Sequence, residues 1–166
     1  MVRITSAAAS IPKDAPPRPL TAAIEIAAPP DSVWRVVSDV RRTGEWSTEC
    51  RRVLARRGVG VGSLIVGINR RKAVVWATVS RISDLTAERS ISWVVLTNRS
   101  VWTYSMAPVD GVTHLTQTRA TPRGESRFAL WFTRAFLGGQ AVHDDELERA
   151  MGRGLEVIKT IAERAG

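Results

Sequence analysis

The sequence predicts an α+β domain in which a seven-stranded antiparallel sheet is covered by one long C-terminal helix. Three stretches carry that prediction. A strand breaks into a short helix between Ile24 and Trp46. Six β-branched and aromatic runs follow between Glu49 and Thr121, joined by short turns. Beyond His143, apolar residues recur every three or four positions to the end of the chain. Strands joined by turns and segregated from a terminal helix form a meander, because parallel strands would need a crossover of a dozen residues between each pair.

Ile24, Ile26 and Ala28 alternate with Glu25 and Ala27 as on a half-buried strand, and Pro29-Pro30 stop it by removing donors and barring αR geometry at Ala28. Asp31 or a neighbouring proline opens a helix. Val33, Trp34, Val37 and Val40 fall on one of its faces, and Arg35, Asp39 and Arg41 fall elsewhere. Gly44 is expected to end this helix, with Trp46 at its exit. Residues 49–57 form a strand with one wet face, and Gly58, Gly60 and Gly62 mark a hairpin connection. GVGVG lacks the following helix and Lys-Ser/Thr of a phosphate loop.

SLIVGINRR (63–71) and AVVWATVSRI (73–82) pair as antiparallel strands, and SDLTAE supplies a turn. On the next strand, 89–96, Ile91, Trp93 and Val95 share a face. VWTYSM (101–106) places Trp102, Tyr104 and Met106 together, with Pro108 and Asp110-Gly111 ending it, and VTHLTQTRAT (112–121) is the last strand. The apolar run FALWFTRAFLGG is expected to form the first turns of the C-terminal helix or a flap packed over the open end of the sheet, in preference to a membrane-surface helix over Phe128–Leu137. From His143 to Ala165, Leu147, Met151, Leu155, Ile158 and Ala162 make the stripe of an amphipathic helix.

At 166 residues a single domain suffices, able to bury about 70% of its unfolded surface without metals or disulfides. Residues 1–19 read as a disordered leader, since Ser, Pro, Lys and Asp interrupt any apolar core of a signal peptide, and 20–166 as the domain. A single cysteine, Cys50, excludes an internal disulfide and places the chain in a reducing, cytoplasmic setting. The net charge of +8 comes from 21 Arg and 3 Lys scattered near element ends. No zinc finger, recognition helix or RNA-binding sheet accompanies them, so solvated basic rims are favoured over a nucleic-acid stripe.

Two histidines and one cysteine are too few for a zinc cluster, and no Walker loop, dinucleotide fingerprint or GxSxG elbow is present. His143-Asp144-Asp145-Glu146 resembles a catalytic cluster, but carboxylates at a helix start are expected to cap it and complement its dipole. Of six tryptophans, Trp46, Trp76, Trp93 and Trp102 sit in or beside strands, where an indole serves either as core or as the wall of an apolar pocket. Polar residues in the inward phase tilt the balance. Asn69 shares a face with Ile65, Gln117 with Leu115, and Tyr104 with Trp102. Convergent amide and phenol groups in an apolar wall are what a small-molecule site requires.

The opening IEIAAPPDSVWRVVSDVRRTGEW, the VGSLIVGIN and WTYSMAP strands and the closing HDDELERAMGRGLEVIK resemble the helix-grip fold of the START / birch-pollen-allergen-like superfamily. That superfamily includes the polyketide cyclase/dehydrase and lipid-transport proteins. The resemblance spans residues 20–164 and implies two short helices between strands 1 and 2, and a curved sheet gripping the C-terminal helix around a cavity. By position, Trp46, Ile65, Asn69, Trp76, Trp93, Trp102, Tyr104 and Gln117 would line it, with Leu147, Met151 and Leu155 as its helical wall. Gln117 stands where many relatives carry an acid, which argues against a carboxylate general base at that position.

The expectation is a binding or carrier protein for a lipid or polyketide-like molecule, a monomer or homodimer with no cofactor or metal. The alternative is a cyclase or dehydratase acting on a bound poly-β-ketone, with Tyr104, Asn69 or a nearby Arg moving protons. A third reading, a nucleic-acid or anionic-surface binder, rests on the arginines alone.

Overall fold

The computed structural model describes residues 18–124, 126–136 and 140–165. The leader up to residue 17, the Leu137-Gly138-Gly139 segment and the side chains of Phe128 and His143 lie outside the described residues. Seven strands form one antiparallel sheet in the order β1-β7-β6-β5-β4-β3-β2. β1 spans Leu20–Ile26, β2 Cys50–Leu54, β3 Leu64–Arg71 and β4 Val74–Thr86. β5 is Ser90–Val95, β6 Val101–Val109 and β7 Val112–Ala120. The sheet curls around the terminal helix as a half-barrel.

Between β1 and β2 the chain makes two short helical pieces, α1 (Pro30–Val37) and a 3-10 helix (Val40–Glu45). Pro30 starts α1, where a missing N–H costs nothing. The break comes earlier than the sequence suggests. Ser38 turns its hydroxyl back onto the Trp34 carbonyl at 2.6 Å, and Asp39 caps the next turn through the Arg41 N–H. Gly44 therefore lies inside the second piece. A Cβ there would sit 2.6 Å from the Arg51 carbonyl oxygen, so the residue allows the 3-10 helix to press onto β2.

Two strands outrun their expected ends. β4 continues through Ser83-Asp84-Leu85-Thr86, because a bulge between Ile82 and Asp84 absorbs the change of phase and brings Leu85 to the core. β6 runs through Pro108, which pairs with Thr113 beside the Asp110-Gly111 turn. The FALWFTRAF run is a separate helix, α2 (Arg127–Phe136), ahead of α3 (Gln140–Ala165).

The closed core lies under the C-terminal half of α3. Leu155, Ile158 and Ala162 pack with Ile26, Val33, Val37 and Leu115, all essentially without solvent exposure. Each such large side chain contributes roughly 1.5–3 kcal/mol through burial. Backbone ends there are also satisfied: Thr113 donates to the Ala28 carbonyl at 2.7 Å, Glu163 accepts from the Ala27 N–H at 2.8 Å, and Lys159 donates to the Glu25 carbonyl at 2.9 Å.

Candidate functional site

The inward row of β7 passes from core to cavity in four steps. Thr113 and Leu115 are fully buried in the closed core, Gln117 reaches Tyr104, and Arg119 reaches Asp144 on α3. β6 runs beside it with Met106 opposite Leu115, Tyr104 opposite Gln117, and Trp102 opposite Arg119. Aliphatic groups thus give way to aromatic and polar ones toward the N-terminal half of α3. There a cavity of about 300 Å³ opens between sheet and helix. That is at the small end of ligand sites.

Trp46, Ile65, Asn69 and Trp76 line this cavity, as do Trp93, Trp102, Tyr104 and Gln117, with Leu147 and Met151 on the helix. Leu155 does not. It is 1% exposed within the closed core, because the helix face at 147, 150, 151 and 154 looks into the cavity while the next turn lies farther along the helix axis, at the packed end. Gly154 occupies the boundary. A Cβ there would lie 3.0 Å from the Trp46 carbonyl oxygen, so the glycine sets how closely α3 approaches the 3-10 helix.

Trp93 and Trp102, paired across β5 and β6, stack with rings 6.5 Å apart and 7° from parallel. Trp76 meets Phe132 of α2 at 5.8 Å, so α2 supplies a further wall through Ala129, Phe132 and Thr133. The two proposed proton carriers are both engaged. The Tyr104 hydroxyl accepts a 3.0 Å hydrogen bond from the Trp46 indole N–H and bonds with Gln117. Burial pushes its pKa well above the ordinary phenol value. Asn69 donates its amide to the Gly67 carbonyl at 3.3 Å and to the Thr78 hydroxyl at 3.1 Å.

The carboxylates of 144–146, read from sequence as caps, have another use. α3 begins a turn earlier, at Gln140, so these residues stand on its flank. Glu146 pairs with Arg71 at the end of β3, Asp144 with Arg119 at 3.4 Å, and Glu148 with Arg18 at 3.1 Å. These pairs tie the cavity half of α3 to β3, to β7 and to the segment just ahead of β1. The Arg71 hydrogen bond holds the Glu146 carboxyl below the usual range, as Arg18 does for Glu148.

Sequence reasoning missed two charged lining residues, Glu49 and Arg119. Arg119 was reachable, being two positions beyond Gln117 in the same phase; its side chain is 8% exposed. Glu49 carried no signal, since it sits in the irregular link ahead of β2. Burial pushes its carboxyl up, and the nearby Arg71 and Arg119 guanidinium groups pull it partly back. Cys50 beside it is a buried free thiol, also pushed up by burial.

Comparison with known proteins gives a consistent picture. A family model described as polyketide cyclase / dehydrase and lipid transport matches residues 18–163. No curated protein matches the chain. Among solved structures, the polyketide-cyclase-like protein Cgl2372 from Corynebacterium glutamicum is 28% identical with a TM-score of 0.55, over 89% of this chain and 92% of that one. The Zhui aromatase/cyclase from Streptomyces sp. R1128 is 22% identical with a TM-score of 0.63, over 89% and 94%. The TTHA0849 protein from Thermus thermophilus is 12% identical with a TM-score of 0.67, over 90% and 99%, a likeness of fold. Among the described residues no helix is long and apolar enough to cross a membrane.

Proposed function

The chain belongs to the polyketide cyclase/dehydrase and lipid-transport family, and from that premise we propose that it is a cytoplasmic binding or carrier protein for a hydrophobic small molecule held between sheet and α3. The observation that carries this reading is the cavity itself, walled by four indoles and a phenol where the other half of the same sheet is packed solid. A ligand of about 20 non-hydrogen atoms at roughly 0.3 kcal/mol each would bind in the tens of micromolar, an affinity that suits pickup and release. The engagement of Tyr104 and Asn69 by protein partners supports binding over proton transfer by either group. Solvent extraction of freshly purified protein with mass spectrometry tests it: a stoichiometric lipid or ring compound is expected. Turnover of a poly-β-ketone mimic that falls at least tenfold in Tyr104→Phe would instead establish the cyclase reading.

The outer face of α2 supplies a route for loading. Leu130, Trp131 and Phe136 are 42%, 58% and 50% exposed, and Arg127 and Arg134 stand on the same helix. Its inner residues line the cavity. An apolar face flanked by cations suits transient contact with an anionic bilayer. Flotation with phosphatidylglycerol vesicles, set against phosphatidylcholine, checks it, and Trp131→Ser is expected to weaken the contact.

A further inference from the structure

The charged groups beside the cavity are matched among themselves. Arg71 and Arg119 face the carboxyls of Glu146, Asp144 and Glu49. Two neutral groups are not matched. Ser80, on the inward row of β4, lines the cavity at 4% exposure, and its hydroxyl has no hydrogen-bond partner among the described residues. Gln117, 8% exposed on β7, gives its amide N–H to the Tyr104 oxygen: burial raises the phenol pKa and the Gln117 bond opposes that, as a donated hydrogen does. The Gln117 carbonyl oxygen has no partner among the described residues. Buried polar groups left unpaired are destabilising and rare, and each calls for something to complete it.

Strand register puts these two groups on either side of the stacked indoles. Ser80 pairs with Val95 on β5, while Gln117 pairs with Tyr104, which pairs in turn with Ile91 on β5. Trp93 lies between Ile91 and Val95 on that inward face, with Trp102 beside it on β6. We propose that Ser80 and Gln117 are two anchors that make the cavity selective for neutral hydrophobic molecules carrying an oxygen function at each end; this rests on the cavity-binding reading above. The Gln117 carbonyl oxygen is an acceptor and takes a hydroxyl, whereas the Ser80 hydroxyl donates and accepts and takes a hydroxyl or a carbonyl. Tyr104 positions the Gln117 amide. The apolar middle of the ligand lies on the Trp93–Trp102 pair. A carboxylate ligand gains nothing here, because the nearby guanidinium groups are already occupied by more carboxyls than there are cations.

The test uses the full chain and the neutral fluorophore N-phenylnaphthylamine, displaced at neutral pH by biphenyl, 4-hydroxybiphenyl, 4,4'-dihydroxybiphenyl and biphenyl-4-carboxylate. In the wild type each hydroxyl is expected to tighten displacement about fivefold, the worth of one net hydrogen bond, and the carboxylate to do no better than biphenyl. This ranking needs no variant to fold. Ser80→Ala and Gln117→Leu should each bring the diol down to about the level of the single alcohol, and the double variant should bring diol and biphenyl together. Equal displacement by biphenyl and its diol in the wild type, a diol advantage that survives the double variant, or a carboxylate that outcompetes the diol overturns the proposal and leaves the cavity reading standing. Failure of the neutral probe to bind brings down the cavity reading, and these anchors with it.

Discussion

The C-terminal half of α3 and its N-terminal half cover the same sheet in different ways. Around Ile158 and Ala162 the helix meets aliphatic groups from β1, α1 and β7, with Ile26, Val33, Val37 and Leu115 all at 1% exposure or less. Around Leu147 and Met151 it meets Leu20, Ala22 and Trp102, the last stacked in turn on Trp93, and a cavity remains. The first half is held by burial. The second is held at its margins, by Arg18, Arg71 and Arg119 pairing with Glu148, Glu146 and Asp144. Ion pairs contribute little net, the exposed Arg18 pair because water screens it and the more buried ones because desolvation offsets the attraction, so the half that carries the site is the one with the weaker grip. Local stability is commonly lowest where a ligand must enter.

The largest expected effect breaks the comparison at its strong end. Ile158→Ala should cost about 2–5 kcal/mol in urea denaturation, whereas Met151→Ala should cost distinctly less, since its side chain already borders a void. Equal losses would mean that the two halves are packed alike. Next, Ala150→Phe fills the cavity from the helix side. Neutral-probe binding should fall at least about tenfold, with a stability change under about 1.5 kcal/mol because the added ring finds empty space.

A third measurement sharpens the boundary between the halves. Trp46→Phe and Tyr104→Phe, combined in a double-mutant cycle, should show a coupling of about 0.5–1.5 kcal/mol from the buried indole–hydroxyl hydrogen bond. A coupling near zero would assign that contact no part in holding the 3-10 helix against the sheet.

The smallest effects are electrostatic and opposite in sign. The folded-state pKa of Glu49 is raised, so ionising it favours the unfolded chain; the penalty is absent at low pH and grows as pH rises past the ordinary carboxyl value. Glu49→Gln should therefore raise the melting temperature at neutral pH and leave it unchanged in acid. The folded-state pKa of Glu146 is lowered, so its contribution is present above the ordinary value and lost as pH falls. Glu146→Gln should lower the neutral-pH melting temperature slightly and do nothing in acid. Melting curves at several pH values read both.

Much of the fold was legible because its signals are local. Proline pairs, period-two alternation and period-3.6 apolar stripes placed every strand and the long helix, and errors came where a nearby group competed. Ser38 broke the first helix before Gly44 did, and the bulge after Ile82 carried β4 through what reads as a turn. The site was legible to the same extent, since alternation says which face a side chain takes. Ten expected lining residues do face the cavity; Leu155 does not, because it lies one turn farther along the helix axis, at the packed end.

The sequence by itself determined the order of elements, the two faces of the sheet and the aromatic character of one part of its inner face. Only the tertiary structure decided that indoles from four separate segments stop short of filling the space beneath α3, and that Glu49 and Arg119, 70 positions apart, share one corner of it. The physical reason is that periodicity fixes the direction of a side chain at its own position. Whether side chains from distant positions interdigitate or leave a hollow depends on register, bulges and the distance of closest approach, here set by Gly154 against the Trp46 carbonyl.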